Sequence, residues 1–226
     1  METRIQIEEY NSEWEKMFKE EAKAIKKILG KNCSIVHHIG GTSVKGVASQ
    51  PVIDIMTVVK DISLIGNIDS KFRELGYTRG AELDKGEAVL YIKGNEISTH
   101  RIYIYSKNDT EDIIRHLAIK RYLEAHPNAQ KEYSDLKKKL ASEFICDGEG
   151  YRKEKEAYMK ELEEKAMKYK DEQSKLSTDM ALGMCFGMAI GTALGSAMGN
   201  VALGMTMGMS IGMCLGIALG SAKNEK

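Results

Sequence analysis

The stretch CSIVHHIGGTSVKGVASQPVIDIMTVV, residues 33–59, decides the fold. Its first apolar run, from Cys33 to Ile39, predicts a β-strand. Its second run, from Val52 to Val59, is β-branched at most positions, which is typical of a central strand covered on both faces. Two consecutive glycines interrupt the chain between the runs. The stretch therefore predicts two strands joined by a glycine-rich turn.

Helical and strand patterns surround this stretch. Ser12 and Glu15 have the spacing of a capping box, and apolar residues follow them at helical spacing as far as Leu29. Asp61 and Asp109 are placed to cap two further helices. We predict strands at 77–82, 88–92 and 99–105, and helices at 61–75, 109–125, 128–145 and 151–175. This order predicts an α+β fold with a mixed sheet flanked by helices.

The glycine-rich turn and the strand after it carry the residues that indicate a binding site. Gly40, Gly41, Thr42 and Ser43 offer backbone N–H groups and hydroxyls to a phosphate. Asp54 lies inside the next strand, where a carboxylate can hold the Mg²⁺ that accompanies such a ligand. Two other interpretations stay open, namely an ordinary loop and a Ser43 that caps a following helix.

Several separated motifs resemble the signature of the GrpB family. They are His38-Ile39-Gly40-Gly41-Thr42-Ser43-Val44, Gly46, Pro51-Val52-Ile53-Asp54-Ile55, His100, Arg115-His116, Arg121-Tyr122-Leu123, His126-Pro127, Tyr133, Leu136-Lys137, Tyr151 and Lys155. The resemblance covers about residues 5–165. It implies a nucleotidyltransferase-like fold for a domain at 1–165.

The resemblance also implies a function. It implies a site for a nucleotide or another phosphorylated small molecule, with nucleotidyl transfer as the activity. Asp54 and His100 would be the catalytic residues, Asp54 would bind Mg²⁺, and the 40–43 turn together with Arg115 would bind phosphate. Arg121, six residues further along the same helix, is interpreted as a surface or structural pairing residue.

The sequence departs from the nucleotidyltransferase pattern at the second carboxylate. These enzymes present two carboxylates as Asp-x-Asp, because residues two apart on a strand share a face and can bridge two metal ions. Here Met56 takes the second place, and a thioether is a poor Mg²⁺ ligand. His100 stands where a third carboxylate is expected, and His38 is a further candidate ligand. His37 falls on the other face from His38, so the pair is no metal clamp.

Two functional hypotheses follow from this departure. In the first, the protein is a nucleotidyltransferase-like enzyme that binds a nucleotide or phosphate ligand with Mg²⁺. In the second, the domain is a catalytically inactive scaffold, and the working part is the C-terminal tail.

The amino-acid composition limits the classes of binding partner and indicates the cellular compartment of the protein. Lys and Arg number 33 and Asp and Glu number 33, so no excess of positive charge predicts binding to nucleic acid. The four cysteines form no Cys-x-x-Cys pair, which favours reduced thiols in a cytoplasmic body. The first residues lack the apolar core of a secretory signal.

The tail at 179–222, reached through a helical linker at 166–178, has a glycine at almost every fourth position. The glycines are Gly183, Gly187, Gly191, Gly195 and Gly199, then Gly204, Gly208, Gly212, Gly216 and Gly220. Glycine costs a helix interior about 1 kcal/mol relative to alanine, so ten of them indicate close backbone approach between helices. The pattern predicts a helical glycine-zipper hairpin with its turn at Gly199-Asn200.

Two environments for the hairpin stay open. Each arm of about 20 residues would be about 30 Å long, which matches the hydrocarbon core of a bilayer. In that case the body would lie at the inner face of the cell membrane, because lysines flank both ends of the hairpin. Leucine is sparse, however, and the only aromatic residue is Phe186. Self-association of the tail in a soluble cytoplasmic assembly is the alternative.

Overall fold

The computed structural model describes residues 5–80, 88–94, 97–145 and 147–224. The chain divides into two units, residues 1–167 and residues 168–226. Unit 1 contains the sheet and most of the helices, and unit 2 contains the glycine-rich tail.

Unit 1 is built on one mixed sheet of five strands. The strands are β1 (Cys33–Ile39), β2 (Ile53–Val59), β3 (Tyr77–Arg79), β4 (Ala88–Lys93) and β5 (His100–Ser106). Their order across the sheet is β1-β2-β5-β4-β3, with β2 and β5 parallel and the other neighbours antiparallel. The predicted α+β class with a mixed sheet is confirmed. The predicted strand 77–82 ends earlier, at Arg79, and residues 81 and 82 lie outside the described part of the chain.

Six α-helices accompany the sheet in the described residues. They are α1 (Glu13–Leu29), α2 (Asp69–Glu74), α3 (Thr110–Ala125), α4 (Pro127–Glu143), α5 (Gly148–Ala197) and α6 (Val201–Asn224). Short 3₁₀ turns at Gly41–Ser43 and Ile62–Ile68 follow β1 and precede α2. The helix predicted at 61–75 is therefore half 3₁₀ and half α.

The helix starts are close to their predicted positions, but two of the three predicted caps are wrong. Ser12 makes no capping hydrogen bond, and the Oδ1 atom of Asn11 accepts one from the Glu13 N–H instead (2.9 Å). Asp109 turns back to accept a bond from the Ser106 N–H (2.6 Å). Asp61 does cap, accepting a bond from the N–H two residues later. Any of several short polar side chains near a helix start can fill this role, so spacing alone does not select one.

The two faces of the sheet carry different layers. On one face, α1 and the 62–74 segment pack on an apolar core that includes Ile53, Ile55, Ile102 and Ile104. On the other face, Ile39, Met56 and Tyr105 form a smaller cluster with residues of α3. Because side chains alternate along a strand, Asp54 faces this second side, next to Met56.

Unit 2 is a pair of helices that contact along their glycines, as the repeat predicts. A Cβ added at Gly187, Gly191, Gly208 or Gly212 would lie within 3.0 Å of backbone atoms of the opposite arm. Gly199 takes a positive φ of 74° in the connection, and the Asn200 side chain caps α6. The glycine-zipper hairpin is confirmed, with its turn where the sequence places it.

The large apolar side chains of the hairpin are exposed. Most of these side chains come from the residue directly before a glycine. Between the two rows of side chains lies a groove whose base is formed by the glycine backbone. The exposed set includes Leu182, Phe186, Ile190, Leu194, Leu203, Met207, Ile211 and Leu215. Both arms contain a helical stretch long and apolar enough to cross a membrane. Cys185 and Cys214 are free thiols in these arms, as is Cys33 in β1, whereas Cys146 lies outside the described residues.

Candidate functional site

A cavity of about 200 Å³ lies on the Asp54 face of the sheet, inside unit 1. The turn after β1, strands β2 and β5, and helices α3, α4 and α5 surround it. Its polar lining residues are Gly40, Gly41, Thr42, Ser49, Gln50, Asp54, Arg101, Tyr103, His116, Lys120, Tyr133, Lys137, Tyr151 and Lys155. The cavity therefore collects side chains from six segments that are far apart in sequence.

Strand register brings a carboxylate and a guanidinium group to the same wall. Asp54 on β2 pairs with Arg101 on the parallel strand β5, so both side chains project from one face. Two residues later, Met56 pairs with Tyr103 on the same face. The position next to Asp54, where a metal site would need a second acid, is thus occupied by a cation.

Asp54 is enclosed by protein although its side chain borders the cavity. Its Oδ1 atom is buried and has no hydrogen-bond partner among the described residues. Burial raises the pKa of this carboxyl to about 6, against the opposing pull of the Arg101 and Lys155 charges. Desolvation therefore outweighs the attraction of these cations and a hydrogen bond from the Tyr103 hydroxyl, which both favour the ionised form.

Lys137 is the most deeply buried cation of the cavity. It projects from α4 with only 4% of its surface exposed, and its Nζ donates to the Ser49 hydroxyl at 2.8 Å. The same Nζ lies 4.1 Å from the centroid of the Tyr133 ring, which stabilises the charged form. Burial, reinforced by repulsion from Lys155, nevertheless lowers the pKa of Lys137 to about 7.

Two further lysines complete the positive lining. Burial also lowers the pKa of Lys155, which projects from α5 with its Nζ 5.6 Å from the Tyr151 ring centroid. Lys120 of α3 donates to the carbonyl of His38 at 3.1 Å. Within the described part of the cavity wall, four cationic side chains face a single carboxylate. Such a site attracts an anion.

The two glycines of the 40–43 turn are required because side chains of the cavity lie very close to their backbone. A Cβ on Gly40, whose φ is 72°, would lie 2.6 Å from Oδ2 of Asp54. A Cβ on Gly41 would lie 2.8 Å from Nζ of Lys137. A side chain at Gly40 would therefore displace the Asp54 carboxylate, and one at Gly41 would displace the Ser49 hydroxyl, the atom nearest to the added Cβ, together with Lys137.

The hydroxyls of the turn are bonded within the protein. Thr42 is buried, donates to the carbonyl of Val52 at 3.1 Å and pairs with Nε2 of His38 at 3.0 Å. The Ser43 hydroxyl donates to the carbonyl of Gly40 at 2.7 Å. Ser43 is at the end of a short 3₁₀ turn and caps no following helix. The hydroxyls of the turn, and also the Ser43 N–H, which donates to the Gly40 carbonyl at 3.2 Å, are therefore already bonded within the protein.

His100 and Arg115 do not reach the cavity. His100 pairs with Ile53 in the sheet and so lies on the face opposite to Asp54, where its Nδ1 is 3.0 Å from the Thr99 hydroxyl. Arg115 forms an ion pair with Asp112 at 2.7 Å and a longer one with Glu163. His38 also lies on the opposite face, stacked on the Phe18 ring at 4.8 Å.

The cavity contains cations that sequence reasoning did not select. Lys137 and Lys155 stood in the motifs but had no assigned role, and Arg101 is one residue beyond His100. Strand alternation shows only that residues 100 and 101 point to opposite faces of the sheet, and not which of them shares the face of Asp54. The parallel β2–β5 register that decides this point is a tertiary feature, so the sequence alone does not reveal it.

The lining does not fit a resident Mg²⁺ ion. Mg²⁺ needs oxygen ligands in octahedral geometry, and protein sites supply them chiefly through carboxylates. Around the cavity there is one carboxylate with Arg101, Lys137 and Lys155 beside it. In the described ranges no group of three His, Cys, Asp or Glu side chains could hold a metal ion.

Comparisons with known proteins agree with the architecture. The family model described as GrpB protein matches residues 4–165, and one described as glycine zipper membrane protein matches residues 173–226. The UPF0157 protein YqkA of Bacillus subtilis is 34% identical over 74% of this chain, which spans only 48% of YqkA. A UPF0157 protein of Halalkalibacterium halodurans is 32% identical over 72% of this chain and 82% of its own length.

A solved structure shows the same fold. The crystal structure of the conserved protein GrpB from Enterococcus faecalis superposes with a TM-score of 0.70 at 35% identity, covering 73% of this chain and 98% of that one. The family match spans the strands and helices that build the cavity, and the tail lies beyond it. The chain therefore belongs to the GrpB family and carries, after its GrpB domain, a glycine-zipper hairpin.

Proposed function

We propose that the cavity of the GrpB domain binds a small molecule through a phosphate group, as a nucleotide or as another phosphorylated compound. The observation that carries this proposal is the convergence of Arg101, Lys137 and Lys155 on an enclosed space. Burying cations costs free energy unless a negative charge compensates them, and Asp54 supplies only one. A phosphate supplies the remaining charge and accepts hydrogen bonds from several donors at once.

Nucleotidyl transfer is not part of this proposal. Two-metal transfer requires a pair of carboxylates that bridge the ions, and Met56 and Arg101 stand at the positions nearest to Asp54. The cavity is also below the roughly 300–1,000 Å³ of typical ligand pockets. The proposed role is therefore recognition of a phosphorylated ligand by an inactive nucleotidyltransferase-like scaffold.

Calorimetric titration of the full chain tests this role. The ligands are inorganic phosphate, pyrophosphate, nucleoside mono- and triphosphates, and sugar phosphates, each with and without Mg²⁺. We expect binding that Lys137→Met weakens by roughly tenfold or more, since it removes a buried charged donor. Lys139→Met is the matched control, because this lysine projects from the same helix with 70% of its side chain exposed. Absence of binding by every phosphate-bearing ligand would refute the proposal.

We propose further that the hairpin anchors the protein in a membrane. The supporting observations are the match to a glycine zipper membrane protein, the two helical stretches of sufficient length, and the outward-facing apolar side chains. Lys175 lies on the N-terminal side of the hairpin and Lys223 on the C-terminal side, so a cytoplasmic body at the inner face follows from the positive-inside rule.

Fractionation of cells that express the full chain tests the anchor. We expect the chain in the membrane pellet, resistant to alkaline extraction and released by detergent. Ile190→Lys places a charge on an exposed position of the first arm and should shift the chain toward the soluble fraction. Ile190→Leu is the control. A full chain that stays soluble as a large uniform particle without detergent would instead support the soluble assembly.

A further inference from the structure

We infer that the cavity recognises a hydroxyl-bearing phosphomonoester as the free anion, with cationic side chains in the place of a divalent metal. This inference rests on the proposed binding of a phosphorylated ligand and specifies its class. Its starting point is the disagreement between a nucleotidyltransferase-like fold, which implies magnesium, and a cavity whose lining does not suit that ion.

In this inference the cationic side chains of the cavity bind the phosphate group of the ligand. Arg101 lies in register with Asp54 on the neighbouring strand, and Lys137 enters from α4 with its Nζ close to Gly41 of the turn. Lys155 comes from α5 and its charge acts directly on Asp54. Donors from three elements therefore approach one small space, which matches the several oxygens of a phosphate group.

In this inference Asp54 accepts a hydrogen bond from a hydroxyl group of the ligand. An ionised carboxylate can only accept hydrogen bonds, and a phosphate dianion cannot donate one to it. Its buried Oδ1 has no partner in the described residues, so this acceptor needs a donor from the ligand. An alcohol group beside the phosphate supplies that donor. The three tyrosines of the lining, Tyr103, Tyr133 and Tyr151, add a surface suited to a polar ring or chain.

The size of the cavity favours the same class. About 200 Å³ accommodates a phosphate with a few carbon atoms and their hydroxyls, as in a simple sugar phosphate. A nucleoside triphosphate with its metal ion needs a larger space and a second carboxylate. Magnesium would also neutralise part of the negative charge of the phosphate, which the cationic side chains recognise. It should therefore weaken binding of the ligand to the cavity or leave it unchanged.

Calorimetry of the full chain with ribose 5-phosphate, inorganic phosphate and ribose, each in EDTA and in excess Mg²⁺, tests the inference. We expect ribose 5-phosphate to bind in EDTA, and Mg²⁺ to change its affinity by no more than about twofold. We expect ribose alone not to bind. Arg101→Met should weaken both phosphate-bearing probes by roughly tenfold or more.

Two variants of one residue separate metal binding from hydroxyl recognition. Asp54→Asn keeps an acceptor oxygen and removes a negative charge, so inorganic phosphate should bind as well as before or more tightly. A magnesium site would be lost in the same variant. Asp54→Ala removes the acceptor, so the preference for ribose 5-phosphate over inorganic phosphate should fall severalfold. Asp135→Asn, at an exposed position of α4, is the control.

The outcomes distinguish this inference from the proposed function. Binding of phosphate-bearing probes only with Mg²⁺, or its loss in Asp54→Asn with the fold intact by circular dichroism, overturns the inference and leaves the proposed function standing. Equal affinity for ribose 5-phosphate and inorganic phosphate in the wild type overturns the hydroxyl part. Failure of every phosphate-bearing probe, with and without Mg²⁺, overturns both.

Discussion

At the scale of single residues, Lys137 gives the strongest support to the proposed ligand of this domain. A lysine that is 4% exposed and has its pKa lowered to about 7 makes the folded state less stable than a neutral residue would. Its partners, the Ser49 hydroxyl and the Tyr133 ring, do not neutralise its charge. Binding of an anion by Lys137 explains why a lysine occupies this position although it lowers the stability of the fold.

Lys137→Met should therefore stabilise the protein while weakening phosphate binding by roughly tenfold or more. Because burial opposes the charged form of Lys137 more than the Asp54 charge favours it, removing the charge should raise the free energy of unfolding, by at most about 1.4 kcal/mol for each unit by which the pKa is lowered. Because the folded pKa is lowered, the gain should be largest below about pH 7 and should shrink as the pH rises toward the ordinary pKa of 10.5. Urea unfolding of wild type and variant across this range measures it. A destabilised Lys137→Met would show that the lysine is mainly structural.

His38 should make the protein sensitive to mild acid. It is buried between the Phe18 ring and the Thr42 hydroxyl, and burial lowers its pKa to about 4. Below pH 6.5 the unfolded chain takes up a proton that the folded chain refuses, so stability should fall as the pH drops from 6.5 to 4, by up to about 3 kcal/mol. His116, whose pKa burial also lowers to about 4, adds to the same fall.

Comparison of unfolding curves for wild type and His38→Phe checks this expectation. The variant loses the bond to Thr42 and should be less stable at pH 7, but its stability should depend less steeply on pH between 6.5 and 4. Parallel pH profiles for the two proteins would show that His38 is not the group responsible.

At the scale of elements, the sequence predicted the fold more fully than the site. Apolar runs and helical spacing located β1, β2, β5 and the long helices, because local burial dictates those patterns. The 3₁₀ character of Ile62–Ile68 and the caps were missed, since several local hydrogen-bonding choices compete there.

The candidate site was predicted only in part for a different reason. Asp54 and the 40–41 turn lie close in sequence, and the structure keeps them together. Arg101, Lys137 and Lys155 come from distant elements, and only the strand order and the packing of α4 and α5 bring them to the cavity. His100 was selected as the replacement for a missing carboxylate, yet the parallel register turns it to the other face.

The hairpin offers a prediction at the same scale. Gly208 lies against the backbone of Gly187 and Gly191, so no side chain fits between the arms. Gly208→Leu should separate the helices and lower the thermal stability of the hairpin in detergent, with overpacking costs of about 1–3 kcal/mol or more. Ser210→Leu, on an exposed position of the same helix, should have little effect. Circular dichroism during heating measures both, and equal stabilities would contradict close packing along the glycines.

At the scale of the whole molecule, the chain combines two units with different requirements. Residues 1–167 bury an apolar core and enclose a charged cavity, whereas residues 168–226 expose their large apolar side chains and bury glycines. The first arrangement is typical of a domain folded in water, and the second of a helix pair that lipid or other apolar surfaces surround. The proposed ligand recognition and the proposed anchoring would thus belong to separate parts of the sequence.

This separation predicts that a bound ligand stabilises one unit without the other. Trp14, the only tryptophan, is buried in the core of unit 1, so its fluorescence reports the unfolding of that unit alone. A phosphate-bearing ligand at about 100 times its dissociation constant should stabilise unit 1 by about 2.7 kcal/mol and raise the Trp14 transition by roughly 5–10 °C. The helical signal that remains after this transition in detergent should come from the hairpin and should not shift. If the ligand shifts the whole circular-dichroism transition together with the Trp14 fluorescence, and no helical signal remains after it, the chain unfolds as one cooperative unit. The assignment to separate parts then fails.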